Sequence, residues 1–555
     1  MPPFRRSPIS SFKWLTVALI LGFYLVYSLL HPSYYHEASD LGSPIQLQQW
    51  HNGSGQAEQE KAQRVVEAMQ HTFWKYREKA WGYDEIKPVT GVPGAWGTGW
   101  GGFIVESATT LAMMGLWDEL RLSVDHIVNK VHFDRAYRSL DPSETTIRYL
   151  GALVSLVDLV DAGIIPEDVV PRTQRDALLS QATVLANKLL PAYDTPTGIP
   201  WPRVDFTSNS GVQVPLDAER EHDYPHPVSD PAHAGSSILE NRVLSRLTNN
   251  AAYLTAATAS WSTLVWPKYI SPYPGLASSP LSILTGAPLG RHRSWDAGHA
   301  NYYSSLLKAA LLAPHDRHSG TYTSRWLAAA HSVRHHLASR TTPTAAHKRM
   351  HLLLGQRDAA WYLNTQTYAG CGAPGALVLG GRALRRADLV HLGQALLEGC
   401  RHTYASTAAR LGPDAVAWAP APAHQHPNAS VAAAARQAAE ADARGFWAVD
   451  PAFRLRHEYA ESLFVAWRGT GEARYREWAW EAWQAVERGC RARFGYAAVE
   501  DVMATGGQAR ALDESGSMWA AATLKFFWLV FADVRVGSLD GWVYGAGGHL
   551  FRRVG

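Results

Sequence analysis

Residues 141–151 read Asp-Pro-Ser-Glu-Thr-Thr-Ile-Arg-Tyr-Leu-Gly, and within this stretch Glu144 and Arg148 stand four residues apart. Positions i and i+4 share one face of an α-helix, so the carboxylate and the guanidinium are expected to point the same way. A buried charge has to be paired or used for chemistry, whereas surface pairs of this spacing are common on helices. The stretch alone therefore leaves a plain ion pair and a functional site equally open.

Several other segments give this stretch a context. Upstream stands Trp81-Gly82-Tyr83-Asp84-Glu85, and downstream stands Arg456-His457-Glu458-Tyr459-Ala460-Glu461-Ser462. Further segments in the same order are Met114 to Leu120, Leu244 to Thr248, Cys371 to Gly375, Thr523 to Lys525 and Ser538 to Asp540. Taken together, residues 62–550 resemble the class I α-1,2-mannosidases, glycoside hydrolase family 47.

Length and composition permit one large globular fold. The chain has 555 residues, of which 46% are hydrophobic and 22 are Trp, so it is able to bury a large core. A formal net charge of +3 gives no support for a nucleic-acid partner or for a strongly acidic one, and no nucleic-acid partner is expected.

The amino terminus predicts a membrane anchor. Arg5, Arg6 and Lys13 precede residues 14–30, a run of seventeen residues without a charge, which is close to the lower limit of about 17 for a membrane span. A cleaved signal peptide is the alternative, but the residues after 30 lack a small-x-small cleavage pattern. Basic residues before the span predict a single-pass type II protein with a cytosolic tail at 1–13. Residues 31–60 are then a lumenal stem, and the protein is expected in the endoplasmic reticulum or Golgi membrane.

Helical spacing of apolar residues dominates from residue 61 to residue 555 and predicts an all-α fold. Examples are Ser107 to Val131, Ser237 to Thr255 and Ser517 to Val530, and strands are expected to be scarce and short. A helical toroid and a solenoid both fit, although no repeat of fixed period supports the familiar solenoids. The resemblance implies the toroid, an (αα)7 barrel. Residues 314–349 and 417–444, both rich in Ala, His and Arg, are interpreted as drifted or inserted surface loops and helices, and 325–337 shows helical spacing. His331, His335 and His336 are expected on solvated helix faces rather than bound to metal.

The chain has three cysteines, Cys371, Cys400 and Cys490. Their number leaves two alternatives open, three buried thiols or one disulfide with an unpaired cysteine. The resemblance implies the disulfide, between Cys371 and Cys400.

The resemblance also implies the chemistry. Family members cleave mannosides with inversion, which needs a proton for the leaving oxygen and an activated water on the opposite face of the sugar. Glu144 matches the carboxylate on the acid side, and Glu458 matches the general base. The residues expected to bind substrate are Arg148, Arg456, Glu461, Asp84 and Glu85. The family also implies a Ca²⁺ ion that holds two mannose hydroxyls.

Two central positions depart from the family pattern. Ala300 stands where the family has a third central Asp, and Ser304 stands where it has a Glu. Ala546 stands where the family has the Thr that binds calcium, and Gly547 replaces the neighbouring Glu. No residue is therefore assigned as a metal ligand, and hydrolysis is expected to be weakened.

Two functions follow from these matches and departures. The first is a lumenal α-1,2-mannosidase-like glycosidase that acts on high-mannose N-glycans by inversion, with reduced activity. The alternative is a catalytically inactive paralogue that binds glycans or partner proteins in glycoprotein quality control. A barrel whose cleft has no ligand is the third, purely structural, interpretation.

Overall fold

The computed structural model describes Gly22, Leu41 and residues 44–50, 55–95, 98–213, 227–269, 271–419, 431–505 and 510–554. The expected cytosolic tail and, apart from Gly22, the expected anchor at 14–30 lie outside these residues. Among the helices that are described, none is both long and apolar enough to cross a membrane.

The described part of the chain is mostly helical. Its helices are α1 Gln59–Ala80, α2 Gly102–Met114, α3 Trp117–Lys130, α4 Pro142–Thr145, α5 Gly151–Asp161, α6 Arg172–Leu189, α7 Pro231–Gly235, α8 Ile238–Thr248, α9 Ala252–Val265, α10 Ala300–Leu312, α11 Ser319–Ser332, α12 Ala373–Ala383, α13 Ala387–Ala405, α14 Val431–Arg444, α15 Glu458–Thr470, α16 Arg474–Cys490 and α17 Leu524–Phe531. π-helical turns at Thr146–Leu150, Val333–Leu337 and Trp519–Thr523 join α4 to α5, extend α11 and lead into α17.

Seven helix pairs within the described residues form a closed ring. Six pairs are neighbours in the chain, namely α2 with α3, α5 with α6, α8 with α9, α10 with α11, α12 with α13 and α15 with α16. The seventh pair joins the two ends of the fold, because α17 packs on α1. The first helix of each pair contacts the first helix of the next, and α17 contacts α2, which closes the ring. The expected helical barrel is therefore present.

Burial explains which helix of a pair lies inside. Every residue of α2 from Gly102 to Met113 is buried, whereas α3 keeps charged residues on one face. A helix that is apolar on all sides is buried within the protein, whereas a helix at the surface is amphipathic. α2 is therefore the inner helix of its pair and α3 the outer one.

Glycine and asparagine divide two segments that the sequence pattern joined. The pattern from 107 to 131 is broken at Gly115, whose φ of +70° is the left-handed C-terminal cap of α2. The pattern from 237 to 255 is broken at Asn249, with φ +54°, which separates α8 from α9. Turn chemistry overrides continuous helical periodicity at both places.

Residues 314–349, interpreted as surface loops and helices, contain the helix expected at 325–337. It begins earlier than the apolar spacing indicates, because residues 319–332 form α11 and the π-helical turn continues it to Leu337. This helix is the outer helix of the fourth pair, with Trp326 fully buried against the barrel, and so belongs to the ring rather than to an insertion.

The described strands are short, as expected. They are β1 Glu85–Ile86, β2 Pro93–Gly94, β3 Arg203–Asp205, β4 Ser210–Val212, β5 Val228–Ser229, β6 Ser279–Ser282, β7 Pro288–Arg293, β8 Ala338–Arg340, β9 Leu352–Leu354, β10 Gln356–Asp358, β11 Trp361–Leu363, β12 Thr365–Thr367, β13 Ala415–Ala417, β14 Trp447–Asp450, β15 Arg491–Ala492, β16 Gly495–Tyr496, β17 Trp542–Tyr544 and β18 Leu550–Arg552. They form antiparallel pairs, of which the largest sheet has the order β11-β10-β7-β6-β5.

The hairpin β17–β18 enters the ring of inner helices. β18 packs on α5 and β17 packs on α10, and Leu550 and Phe551 are fully buried. The turn of this hairpin, residues 545–549, therefore lies among the inner helices.

The expected disulfide is confirmed. Cys371, just before α12, is bonded to Cys400 on α13. Cys490 is a buried free thiol at the end of α16, and burial raises its pKa far above the ordinary value. The bridge therefore ties the two helices of the fifth pair together.

Residues 44–50, expected to belong to the stem, pack on the helical unit that spans Asp40–Gly555. The amides of Ile45 and Gln46 donate hydrogen bonds to Asp540 Oδ1, and the ring of Trp50 lies 4.8 Å from that of Trp467. These contacts bring the start of the compact unit upstream of residue 61.

Candidate active site

A cleft with about 590 Å³ of open space lies between α10, α12, α15 and the hairpin turn. Its charged and polar lining residues are Asn301, Ser304, Lys308, His457, Glu458 and Glu461. Ala300 and Ala546, the two positions where side-chain oxygens of the family pattern are missing, line the same cleft.

Two carboxylates of this cleft differ in their partners. Glu458 and Glu461 both lie in the first turn of α15. Glu461 Oε1 is 3.0 Å from the Lys308 ammonium, so its charge is compensated. Glu458 Oε2 is buried without a hydrogen-bond partner, and His457 Nδ1 lies 3.8 Å from it. A buried carboxylate oxygen without a partner is costly, and such atoms in native proteins call for a functional explanation.

Arg456 is held by an aromatic side chain. Its guanidinium stacks 4.1 Å above the ring of Tyr368. Burial raises the pKa of Tyr368 although the Arg456 charge acts to lower it, so the phenol stays neutral near neutral pH. This cation–π contact orients Arg456 at the end of the segment that leads into α15.

Glu144 and Arg148 form the expected pair, but the main partner of Arg148 is a different acid. Arg148 Nη1 donates to Glu144 Oε1 at 2.6 Å, while Nε and Nη2 bind the Glu106 carboxylate at 2.8–3.1 Å. Glu106 is fully buried on α2, whereas 58% of the Glu144 side chain is exposed. Burial alone would lower the pKa of Arg148, but the Glu106 and Glu144 charges outweigh it and raise the pKa.

Local hydrogen bonds set the position of Glu144. Asp141 is the N-cap of α4 and accepts a hydrogen bond from the Glu144 amide. The side chain of Ser517 accepts a hydrogen bond from Arg148 at 2.7 Å, which fixes the guanidinium from the opposite side. Glu144 therefore presents its carboxylate to solvent from a firmly held backbone.

The hairpin turn connects the Glu144 region with the Glu458 region. His549 Nε2 lies 3.0 Å from the carbonyl oxygen of Arg148, and Ala546 of the same turn lines the cleft beside Glu458. The two carboxylates expected to be catalytic thus lie on different sides of one turn, with Glu458 inside the cleft and Glu144 outside its lining.

Asp84 and Glu85 have partners of their own. Asp84 is completely buried and accepts hydrogen bonds from Thr98 Oγ1 at 2.7 Å and from the Gly102 amide at 3.1 Å, at the start of α2. Glu85 pairs with Lys87 at 2.6 Å. Neither is among the residues that line the cleft. Their role in substrate binding stays a prediction.

Asp296, four residues before Ala300, is not free to replace the missing acid. Asp296 is buried and accepts hydrogen bonds from the amide and hydroxyl of Thr367, from Gln356 and from its own segment at Ala297. Both of its oxygens therefore hold β12 and the start of α10 in place. Ala300 itself faces the cleft with a methyl group.

Two buried basic side chains, Lys525 and His549, hold the hairpin turn in place. The Lys525 ammonium is buried and donates to Thr109 Oγ1 at 2.8 Å and to the Gly548 carbonyl at 2.7 Å. Burial lowers its pKa well below the ordinary value. Burial, followed by the Lys525 charge, lowers the pKa of His549 well below its usual range. Burial thus disfavours the charged forms of Lys525 and His549, the two basic side chains that hold the turn.

Glu240, on α8, is the acid nearest to this turn. Both of its oxygens are buried without a hydrogen-bond partner in the described structure, and burial raises its pKa to about 8. A methyl group added to Gly545 would lie 3.0 Å from Glu240 Oε1, so carboxyl and turn are in direct contact.

The sequence analysis did not single out four buried charges that shape the site. They are Glu106, Glu240, Lys308 and Lys525. Glu106 in α2, Lys308 in α10 and Lys525 in α17 each stand alone in a strongly apolar helix. A lone charge in such a helix is itself a signal, because it must be paired or used when the helix is buried.

Comparison with known proteins gives one consistent result. The family model of glycosyl hydrolase family 47 matches residues 68–553. The mannosyl-oligosaccharide α-1,2-mannosidase 1B of Aspergillus phoenicis is 31% identical over 511 residues, covering 90% of this chain and 93% of that protein. The protein of the same name from Emericella nidulans is 32% identical over 504 residues, with 89% and 93% covered.

A solved structure agrees with these relatives. The α-1,2-mannosidase from Trichoderma reesei superposes with a TM-score of 0.79 at 28% sequence identity, covering 90% of this chain and all of that one. The helical ring described above is thus the fold of a solved α-1,2-mannosidase.

Proposed function

The chain belongs to glycosyl hydrolase family 47, and we propose that it is a class I α-1,2-mannosidase-like glycosidase acting on high-mannose N-glycans. The observation that carries the proposal is Glu458, a carboxylate with an unpartnered buried oxygen inside the cleft. A general base has to leave one oxygen free for the water that it activates.

The remaining roles are assigned from the contacts around the cleft. Glu144 supplies the proton of the leaving oxygen, directly or through a water, and Arg148 orients it at 2.6 Å. Glu458 activates the water that attacks the opposite face, as inversion requires. Glu461, neutralised by Lys308, and Arg456, stacked on Tyr368, are proposed to contact sugar hydroxyls.

We infer a reduced rate of hydrolysis from the methyl group at Ala300. Loss of one charge-stabilising group typically costs about 10²–10³ in rate. Asp296 is fully engaged with Thr367 and Gln356 and so does not take over that task. The retained Glu144 and Glu458 leave the proton transfers intact.

The residues at the hairpin turn do not fit the calcium ion of the family. Ca²⁺ takes six to eight oxygen ligands, but Ala546 and Gly547 have no side-chain oxygen. The Gly548 carbonyl is already bound to Lys525. Among the described carboxylates near the turn, Glu240 and Glu458 have unpartnered oxygens, which falls short of the ligand set that calcium needs. We therefore derive no step that uses calcium.

Addition of millimolar Ca²⁺ to the metal-free protein is expected to leave the melting temperature unchanged. Ala546→Thr returns one side-chain oxygen to the turn and is expected to introduce a saturable stabilisation, because a ligand at 100 times its Kd adds about 2.7 kcal/mol. Thermal unfolding with and without Ca²⁺ measures both. A saturable shift in the unmodified protein would contradict this inference.

Ala300→Asp is expected to raise mannose release by about tenfold or more, part of the ~10²–10³ that such a group contributes. The control is Ala300→Asn, which has nearly the same shape without the negative charge. Initial rates on a high-mannose oligosaccharide at saturating substrate measure the effect. Equal rates for both variants would show that a charge at this position does not limit hydrolysis.

The proposal is tested with the purified full-length protein and a high-mannose oligosaccharide. Release of mannose, appearing first as the β-anomer by NMR, is expected for an inverting α-mannosidase. No release from folded protein, together with saturable glycan binding, would instead support the second candidate, an inactive paralogue that binds glycans or partner proteins in quality control. The missing oxygens at Ala300 and Ala546 are the observations that favour this candidate.

We also propose a type II anchor at residues 14–30, with the barrel in the lumen of the endoplasmic reticulum or Golgi. The support is the uncharged run behind Arg5, Arg6 and Lys13 and the disulfide between Cys371 and Cys400, which is typical of oxidising compartments. Protection of the barrel from protease added outside intact microsomes checks this topology.

A further inference from the structure

Three histidine rings meet on the outer side of the fifth helix pair. His347 and His351 lie between β8 and β9, and His402 lies on α13. The rings of His351 and His402 are 3.8 Å apart, and that of His347 is 4.7 Å from His402. A nitrogen atom from each ring lies within 4.8 Å of the other two. Among the described residues, no other group of three or more His, Cys, Asp or Glu side chains brings its ligand atoms this close together.

Hydrogen bonds of the backbone hold two of these histidines in place. The Thr341 amide donates to the His351 carbonyl at 2.8 Å, and the His351 amide donates to Thr341 Oγ1 at 2.9 Å. The His347 amide donates to Thr344 Oγ1 at 2.9 Å, which closes a tight turn. The loop thus presents both rings to α13 from a fixed backbone.

The protonation states leave lone pairs available. His402 Nε2 lies 2.8 Å from the Arg444 carbonyl oxygen, so this nitrogen carries the proton and Nδ1 keeps a lone pair. A ring N–H donated to a backbone carbonyl is the usual support of a metal-binding histidine. His347 Nε2 is buried without a hydrogen-bond partner in the described structure.

Two guanidinium groups near the cluster are paired with acids. Arg349 is paired with Glu398, and Arg401 is paired with Glu481 at 2.7 Å, so both nearby guanidinium charges are compensated. Neutral imidazole is the form that binds metal ions.

We propose that His347, His351 and His402 bind one Zn²⁺ ion, with water in the fourth position. Imidazole nitrogen is a preferred ligand of zinc, whereas calcium requires oxygen ligands that this cluster does not offer. A tetrahedral zinc with Zn–N distances of about 2.0–2.1 Å holds its nitrogens about 3.4 Å apart. The three rings are stacked with interplanar angles of 4–21°, and the lone pair of an imidazole nitrogen lies in the ring plane. Binding therefore requires the rings to turn out of the stack so that the three nitrogens point at one ion.

The ion would connect parts of the chain that are distant in sequence. His347 and His351 belong to the loop of residues 341–351, His402 follows Cys400 of the disulfide on α13, and Arg444 ends α14. The cluster packs on Phe446, whose ring is 5.5 Å from that of His402. None of the three histidines lines the cleft, so the site is structural and separate from the proposed hydrolysis.

The experiment uses metal-free full-length protein without a histidine tag. It is titrated with Zn²⁺ in competition with a chromophoric chelator, and with Co²⁺ to record the visible absorption of a tetrahedral site. One equivalent is expected to bind, and Zn²⁺ is expected to raise the melting temperature. His347→Gln and His402→Gln are each expected to weaken binding by at least about 100-fold, since even an outer partner of a metal ligand contributes 10–100-fold.

His391→Ala is the matched control, because His391 is exposed on the same helix as His402. It is expected to bind Zn²⁺ as the unmodified protein does. Absence of saturable binding at one equivalent would overturn the proposal. Zn²⁺ affinity equal to that of the unmodified protein in both His347→Gln and His402→Gln would also overturn it. His347 is the partly exposed ligand in the loop, so His347→Gln keeps the test valid if His402→Gln does not fold.

Discussion

Glu458→Gln is expected to lower mannose release by about 10²–10⁴-fold, the usual contribution of a general base. The amide keeps the shape of the side chain but cannot accept the proton of the attacking water. Its buried oxygen has no hydrogen-bond partner to lose, and Gly372 beside it leaves room for the amide. The protein should therefore remain folded while the rate falls. Rates of mannose release from a high-mannose oligosaccharide measure the effect.

The control for this variant is Glu477→Gln. Glu477 is exposed in the first turn of α16, the helix paired with α15, so it carries the same chemical change outside the cleft. Its rate and its melting temperature should equal those of the unmodified protein. If Glu458→Gln releases mannose at the unmodified rate, Glu458 is not the base. If the unmodified protein and Glu477→Gln also release no mannose, the glycan-binding paralogue becomes the better description.

Arg148→Met is expected to lower the free energy of unfolding by about 3–5 kcal/mol, because it leaves the Glu106 carboxylate buried without its cation. Glu106 is completely buried, and Arg148 binds both of its oxygens. The side chain of Arg148 is itself only 14% exposed, so water does not replace it readily. The shift of the urea midpoint, at unchanged dependence on urea, measures the loss.

Two further variants test whether the loss comes from the unpaired Glu106 carboxylate. Arg175→Met breaks a pair with Asp161 near the surface and is expected to cost at most about 1 kcal/mol. Adding Glu106→Gln to Arg148→Met removes the unpaired charge and is expected to recover most of the loss, which is the signature of a coupled pair. A cost below about 1 kcal/mol for Arg148→Met alone would show that Glu106 tolerates the loss of its cation.

The pair of Glu144 and Arg148 illustrates how far local pattern reaches. Spacing of four residues correctly predicted that the two side chains meet. It gave no indication that Glu106, 42 residues upstream, is the main partner of Arg148. Local spacing reports contacts within one helix, and the partner on another helix depends on how the ring closes.

The Gly115 and Asn249 caps illustrate the opposite limit. Gly and Asn are the residues that most often end a helix in the left-handed conformation, yet the continuous apolar pattern predicted helices across both positions. Similarly, the apolar spacing indicated a helix only at 325–337, whereas α11 begins at Ser319 and Trp326 packs inside the barrel. Periodicity measures average amphipathicity and is weakest where a helix is Ala-rich or where one cap ends it.

The sequence by itself determined the helical class, the family, the retained acids Glu144 and Glu458 and the missing oxygens at Ala300 and Ala546, because these depend on residue identity and local order. The tertiary structure decided which charges are paired. It neutralises Glu461 with Lys308, leaves a Glu458 oxygen without a partner, and brings His347 and His351 to His402. Pairing depends on burial and on distances between helices that are far apart in sequence, and closure of the ring sets both.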